Sequence, residues 1–243
     1  MAEALLEVAS VTKRFGGLTA VSEVSFDVAP GESIGVIGPN GAGKTTLFNC
    51  ITGFDAPTSG DVRFDGSSIR GRSPHAIVRA GLARTFQIVR PFPDLPVLAN
   101  VMVPLIARRV SDPKRSGIET LQRVGLAARA ADPSGLLSEG DLKRLEMARA
   151  LATGPRLLLL DEPFAGLSPN EIDALSATIA ALKAAGTALV IVEHKVGALL
   201  KLVGRVVVMD LGAVIADGAP ESVMRDPRVV EAYLGAGAAD AGA

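Results

Sequence analysis

Residues 38–45 read Gly-Pro-Asn-Gly-Ala-Gly-Lys-Thr, the spacing G-x-x-x-x-G-K-[ST] of a Walker A phosphate-binding loop. The residue types account for the chemistry. Gly38, Gly41 and Gly43, with Pro39, Asn40 and Ala42 between them, let the backbone turn tightly and aim its N–H groups at an anion. Lys44 reaches the β- and γ-phosphates, and the Thr45 hydroxyl can ligate Mg²⁺. Residues 33–38 before the loop are a short apolar run suited to a buried strand. Thr46 opens a helix whose Leu47 and Ile51 share a face. A phosphate would therefore sit at a helix N-terminus, where the dipole favours negative charge. A chance glycine-rich turn would explain the glycines, but not this strand and helix around a complete motif. The implied chemistry is nucleoside triphosphate binding.

A second group of polar residues follows much later. Four leucines, 157–160, place Asp161 at the carboxyl end of a buried strand, where α/β sheets bind ligands. Asp161 is suited to hold Mg²⁺ and its neighbour Glu162 to serve as general base toward a water. His194 ends the next apolar run and should lie on the same rim, as a hydrogen-bond donor to the γ-phosphate. Ser138 opens a helix with Leu142, Leu145, Ala148 and Leu151 on one face, and Ser138 with Asp141 forms a capping box. Such a helix start could also receive a phosphate.

The elements that must position these groups can be read from periodicity. Residues 5–11 and 21–28 are expected strands with a turn at 13–17, and residues 61–64 alternate as a half-exposed strand. Residues 81–87 lead through another short strand. Pro91, Pro93, Pro96 and Pro104 then break an apolar stretch at 88–106, which excludes an ordinary central strand. Residues 88–152 are expected to form a helical insert on the side of the main body. Continuous apolar runs at 157–161 and 187–192 fit strands covered on both faces. Between them Ile172, Leu175, Ile179 and Leu182 make a helix stripe, capped by Ser168 and Glu171 and closed by Gly186. A further helix at 196–203 and strands at 205–210 and 213–217 follow, with a disordered tail at 236–243.

Composition narrows the function classes. In 243 residues, 48% are apolar, enough for a substantial core. The 25 Lys and Arg against 26 Asp and Glu argue against a general nucleic-acid binder. The lone Cys50 permits no intrachain disulfide and reads as a small buried hydrophobe. No apolar run is long enough to span a membrane, and no signal peptide is expected.

Taken in order, these motifs resemble the ATP-binding cassette (ABC) ATPases from about residue 5 to 235. The resemblance implies an α/β P-loop core with a largely parallel sheet, an N-terminal antiparallel β-subdomain and the helical subdomain at 88–152. It makes Phe15 the aromatic that stacks on adenine, 38–45 Walker A, and Gln87 the Q-loop residue that joins Thr45 and Asp161 around Mg²⁺. It makes 137–141 the signature, with Ser138 and Gly140 as phosphate contacts, Asp161-Glu162 the end of Walker B, and His194 the switch histidine. On the same resemblance Lys44, Glu162 and His194 would carry the catalysis. Arg84-Thr-Phe-Gln87, Arg90-Pro-Phe92, Asn100-Val101 and 229–235 are similar to the ATPase subunits of branched-chain amino acid importers.

The implied function is ATP hydrolysis powering an importer of hydrophobic amino acids or related small solutes. The implied setting is a head-to-tail dimer with a second ABC ATPase subunit, homomeric or heteromeric, at the cytoplasmic face of the cell membrane. Transmembrane permease subunits would dock on 88–104, including Val97 and Val101, and an external solute-binding protein would act indirectly. The alternative, a soluble ABC-type ATPase acting on DNA or the ribosome, would need a coiled-coil insert or second cassette and a basic surface. A small-molecule kinase or GTPase ranks third. Two departures from the family pattern stand out. Glu139 and Asp141 put carboxylates in the signature, usually Leu-Ser-Gly-Gly-Gln, and Ser168 stands where the D-loop usually carries an acid.

Overall fold

The computed structural model describes residues 4–87 and 90–240, with side chains as far as 233. Two strands open the chain, β1 (Leu6–Phe15) and β2 (Leu18–Val28), paired antiparallel up to Phe15 opposite Leu18. The expected turn at 13–17 is therefore shorter, because the two-residue Gly16-Gly17 connection suffices to reverse a hairpin. Phe15 becomes the last residue of a strand. Next come β3 (Ser33–Ile37), α1 (Lys44–Thr52), β4 (Ser59–Phe64), the two-residue β5 (Ser67–Ser68), α2 (Pro74–Ala80) and β6 (Leu82–Arg84). His75 lies in the first turn of α2.

The middle of the chain holds α3 (Val97–Ala107), α4 (Pro113–Arg123) and α5 (Glu139–Ala152). These three pack on one another. Asp112 caps α4 with its side chain and Pro113 takes the first helical position. The remaining elements are β7 (Leu157–Asp161), α6 (Pro169–Ala184), β8 (Ala188–Val192), α7 (Val196–Leu199), β9 (Arg205–Asp210), β10 (Ala213–Gly218), α8 (Pro220–Val223) and α9 (Pro227–Asp240). The reciprocal Ser168–Glu171 capping box of α6 is present. Residues 236–240 of the expected disordered tail instead continue α9, and residues 241–243, with Ile88 and Val89 at the start of the expected insert, lie outside the described residues.

Two sheets result among the described residues. One is antiparallel, in the order β2-β1-β4-β5; the other runs β10-β9-β3-β8-β7-β6. In the second sheet, β9, β3, β8, β7 and β6 are parallel and β10 closes the edge antiparallel. This is the α/β architecture expected from the apolar runs. Side-chain alternation divides the core. Leu157, Leu159, Val190 and Val192 join Leu47, Phe48 and the first sheet in one cluster. Leu158, Leu160, Leu189 and Ile191 face the other way, with Val101, Leu121, Leu145 and Ile179. Strands covered on both faces must be apolar throughout, which is why β3, β7 and β8 show no polar alternation. Their carboxyl ends then carry the chemistry on one rim.

Candidate functional site

β3 hands the chain to the phosphate loop, and α1 begins at Lys44. Gly38 has φ +153 and Gly43 φ +96. A Cβ at Gly38 would collide with the Met209 carbonyl oxygen, and one at Gly43 with that of Ala20. The loop is thus pressed against β9 and the first hairpin, and only glycine fits. The Lys44 Nζ donates to the carbonyl oxygens of Gly38 (2.7 Å) and Pro39 (2.9 Å). Burial holds the Lys44 ammonium below its ordinary pKa, opposed by the charges of Glu162 and Asp161. Residues 40–46, with Ala20, Glu162 and His194, line one cavity of about 210 Å³. The loop, the acid and the histidine expected on one rim do meet there.

β7 ends at Asp161, and Glu162 takes a left-handed φ of +48. A non-glycine residue in that region carries backbone strain and needs its surroundings to hold it. Two side chains do so directly. His194 Nε2 lies 2.9 Å from Glu162 Oε1, and the Gln87 amide donates to Oε2 at 2.8 Å. A third residue, Glu193, secures both loops. Its carboxylate, 2% exposed, accepts from the backbone N–H of Phe164 (2.5 Å), His194 (2.9 Å) and Lys195 (3.1 Å). Three charge-assisted bonds to one buried carboxylate lock the turn after β7 to the turn after β8. Lys195 Nζ adds a bond to the Leu167 carbonyl oxygen at 3.0 Å.

Asp161 is not free. Its Oδ2 accepts from Arg84 Nη2 at 2.6 Å, and each side chain is only 6% exposed. Arg84 also donates to Asn49 Oδ1 at 2.7 Å. Its guanidinium lies over the rings of Phe48 (5.5 Å) and Phe86 (5.2 Å). The Nε is buried without a partner. Thr45, Gln87 and Asp161 share one cavity of about 530 Å³ with Arg84. A hydroxyl, an amide oxygen and a carboxylate are the hard oxygen donors that suit Mg²⁺. No three His, Cys, Asp or Glu side chains converge as a metal cluster among the described residues. A cation here would rely on Asp161, the neutral oxygens and the nucleotide phosphates, and the donor set fits that arrangement.

The remaining expected residues lie apart. Phe15 is 47% exposed with Lys13 Nζ 4.8 Å from its ring centroid, and it does not line the loop cavity. Its hairpin neighbour Ala20 does. Ser138 and Gly140 open α5, away from that cavity. The Ser138 side chain accepts from Asp141 N, but Asp141 does not return the bond as a capping box would. Its carboxylate turns to Arg129 (2.8 Å) and Arg144 (3.5 Å), so the charge of Asp141 is neutralised internally. Val97 and Val101, expected to face a partner, are fully buried in the core because they form the inward stripe of α3. Exposed apolar side chains nearby are Phe92, Leu95, Val103 and Ile106.

Three residues received no role at the site from the sequence: Arg84, Glu146 and Glu193. Arg84 and Glu193 did carry a signal, as charged side chains directly bordering apolar strands. Such residues are rarely buried without a partner.

Comparison with known proteins bears directly on this arrangement. The family profile described as ABC transporter matches residues 21–165, and that described as branched-chain amino acid ATP-binding cassette transporter matches 213–239. BraF, a high-affinity branched-chain amino acid transport ATP-binding protein of Pseudomonas aeruginosa, is 40% identical, covering 97% of this chain and 99% of BraF. The ADP conformation of an ATP-binding cassette of an ABC transporter superposes with TM-score 0.87 at 32% identity, over 96% of this chain and 100% of that one. A dimeric post-hydrolysis cassette bound to ADP and Pi gives TM-score 0.79 at 25% identity, over 88% and 98%.

Proposed function

The chain belongs to the ABC transporter family and is an ATP-binding, ATP-hydrolysing transport subunit of its branched-chain amino acid branch; from that premise we propose how its residues divide the work. The observation that carries the proposal is the single cavity shared by residues 40–46, Glu162 and His194, with Asp161 and Gln87 adjoining. The backbone N–H groups of the loop and Lys44 bind the phosphates, with charge-assisted bonds to the β- and γ-oxygens. To reach them Lys44 exchanges two carbonyl partners for phosphate oxygens. Glu162 takes the proton of the attacking water, and His194 holds the γ-phosphate and orients Glu162. Thr45, Gln87 and Asp161 would hold Mg²⁺, which would supply neutralisation of phosphate charge. Phe15, at the exposed end of β1, stacks on the base.

Residues 5–235 act as one ATPase domain with 88–152 as its helical subdomain, a division supported by the mutual packing of α3, α4 and α5. Ser138 and Gly140, remote from their own loop cavity, serve the ATP of a second subunit in a head-to-tail dimer. The dimeric ADP-bound relative supports that reading. Permease subunits dock beside the exposed Phe92, Leu95, Val103 and Ile106, next to a groove of about 750 Å³ between α2 and the end of α3. No helix among the described residues is long and apolar enough to cross a membrane. The subunit is held at the cytoplasmic face through that permease, and an external binding protein delivers the solute, a branched-chain or other hydrophobic amino acid.

The soluble alternative acting on nucleic acid finds less support. The longest helix among the described residues has 16 residues, and the net charge is −1.

Glu162→Gln tests the assignment. It removes the base while leaving Lys44, Thr45 and Asp161 intact. Turnover should fall roughly 10²–10⁴-fold with ATP affinity unchanged, and an ATP-bound dimer should accumulate in sedimentation. Hydrolysis near the wild-type rate would remove Glu162 from the mechanism.

A further inference from the structure

One face of α5 carries Lys143, Glu146 and Arg149, at helical spacings of three that bring them to the same side. All three are turned against the segment around Gln87, and each binds its backbone. Lys143 Nζ donates to the Gln87 carbonyl oxygen at 2.7 Å. Glu146 Oε1 accepts from the Phe86 N–H at 2.6 Å. Arg149 Nη1 donates to the Arg90 carbonyl oxygen at 2.9 Å. Lys143 is 6% exposed and Glu146 8%. Burying charged groups is costly unless they find such partners. Gln87 is thus gripped on both sides of its own α-carbon by one helix, while its side chain reaches out to Glu162.

We propose that Glu146 is a positioning residue: through the Phe86 N–H it sets where Gln87 stands and hence how Glu162 is held. Lys143 and Arg149 complete a three-point clamp. α5 opens with the signature, Ser138 and Gly140, so the clamp is a rigid link from one subunit's signature to its own Gln87. This inference rests on the roles given above to Gln87 and Glu162, and on distances that do not depend on those roles. Glu146 also lies in the cavity beside Asp161, with Arg84, Arg90 and Arg149 around it. Burial pushes its carboxyl up to about 7, against the pull of the Phe86 N–H, Lys143 and Arg149, while Asp161 adds to the rise.

The test compares Glu146→Ala with Glu146→Gln in the full chain. Gln keeps an oxygen to accept the Phe86 N–H, and Ala has none. Hydrogen exchange at the Phe86 amide, measured by mass spectrometry with fragmentation, should accelerate about tenfold or more in Glu146→Ala and stay near wild type in Glu146→Gln. The kcat of Glu146→Ala should fall about tenfold with KM for ATP unchanged, since the phosphate loop is untouched. Wild-type exchange at Phe86 in Glu146→Ala would overturn the clamp itself. Faster exchange with unchanged kcat would leave the clamp standing and overturn the role of Gln87 in catalysis. Loss of ATP affinity equal to the loss of kcat would make Glu146 a purely structural residue and overturn the proposal.

Discussion

Replacing Glu193 by alanine should be among the most damaging single changes outside the apolar core. The carboxylate is 2% exposed and takes three backbone N–H groups, from Phe164, His194 and Lys195. Each buried donor left without an acceptor costs about 1–3 kcal/mol. Three would cost about 3–9 kcal/mol, and relaxation of the two turns toward water should bring the loss to about 3–5 kcal/mol. Domains of this kind have only about 5–15 kcal/mol in total. Glu193→Gln is milder. If its oxygen keeps His194 and Lys195, only the Phe164 N–H faces an amide NH₂, for a loss of about 1–3 kcal/mol. Urea unfolding followed by circular dichroism, with the slope held common to all three proteins, gives these differences. Activity supplies a second readout. Glu193 holds both the turn carrying Glu162 and His194 itself, so Glu193→Gln should lower kcat more than ATP affinity. Should Glu193→Ala unfold within about 1 kcal/mol of wild type and hydrolyse ATP normally, the three bonds are not what holds this rim together.

Two further outcomes are expected. Phe15→Ala should weaken ATP and GTP binding alike, by roughly 0.5–1.5 kcal/mol, about two- to tenfold, because stacking does not discriminate between purines; equal nucleotide affinity in isothermal titration would place Phe15 outside the base site. Val103→Asp or Ile106→Asp should abolish co-purification with the permease and leave ATP binding intact, whereas Val101→Asp should destabilise the fold by putting a charge in the core; co-purification of the exposed-face variants at wild-type levels would move the docking surface elsewhere.

The phosphate loop, the two acids and the histidine were legible in the sequence because each follows or ends an apolar run. A buried parallel strand has few other ways to be written, and its carboxyl end must carry whatever is polar. The antiparallel hairpin was legible in outline only. The Gly16-Gly17 pair allowed a tighter turn than the surrounding polar residues implied. The direction of α3 could not be read. Its sequence is apolar on nearly every side, so periodicity did not tell buried Val97 and Val101 from exposed Val103 and Ile106. The residues that brace the site were the least legible. Arg84, Glu146 and Glu193 act through contacts with segments distant in the chain, and a charged residue beside a strand gives no sign of which partner it will meet.

Cys50, the single cysteine, lies on α1 at 4% exposure, and burial pushes its thiol up to about 11. At neutral pH about one molecule in ten thousand carries the thiolate that alkylating reagents attack. The natural chain is therefore close to silent toward maleimides while folded. A cysteine introduced at exposed Leu136, just before Ser138, would be the one accessible thiol on the molecule. It could carry a fluorophore or spin label without first removing the native residue, and removal would leave a hole behind the phosphate loop. The approach proposed above, of Ser138 and Gly140 to the nucleotide of a second subunit, could then be timed in the unaltered core.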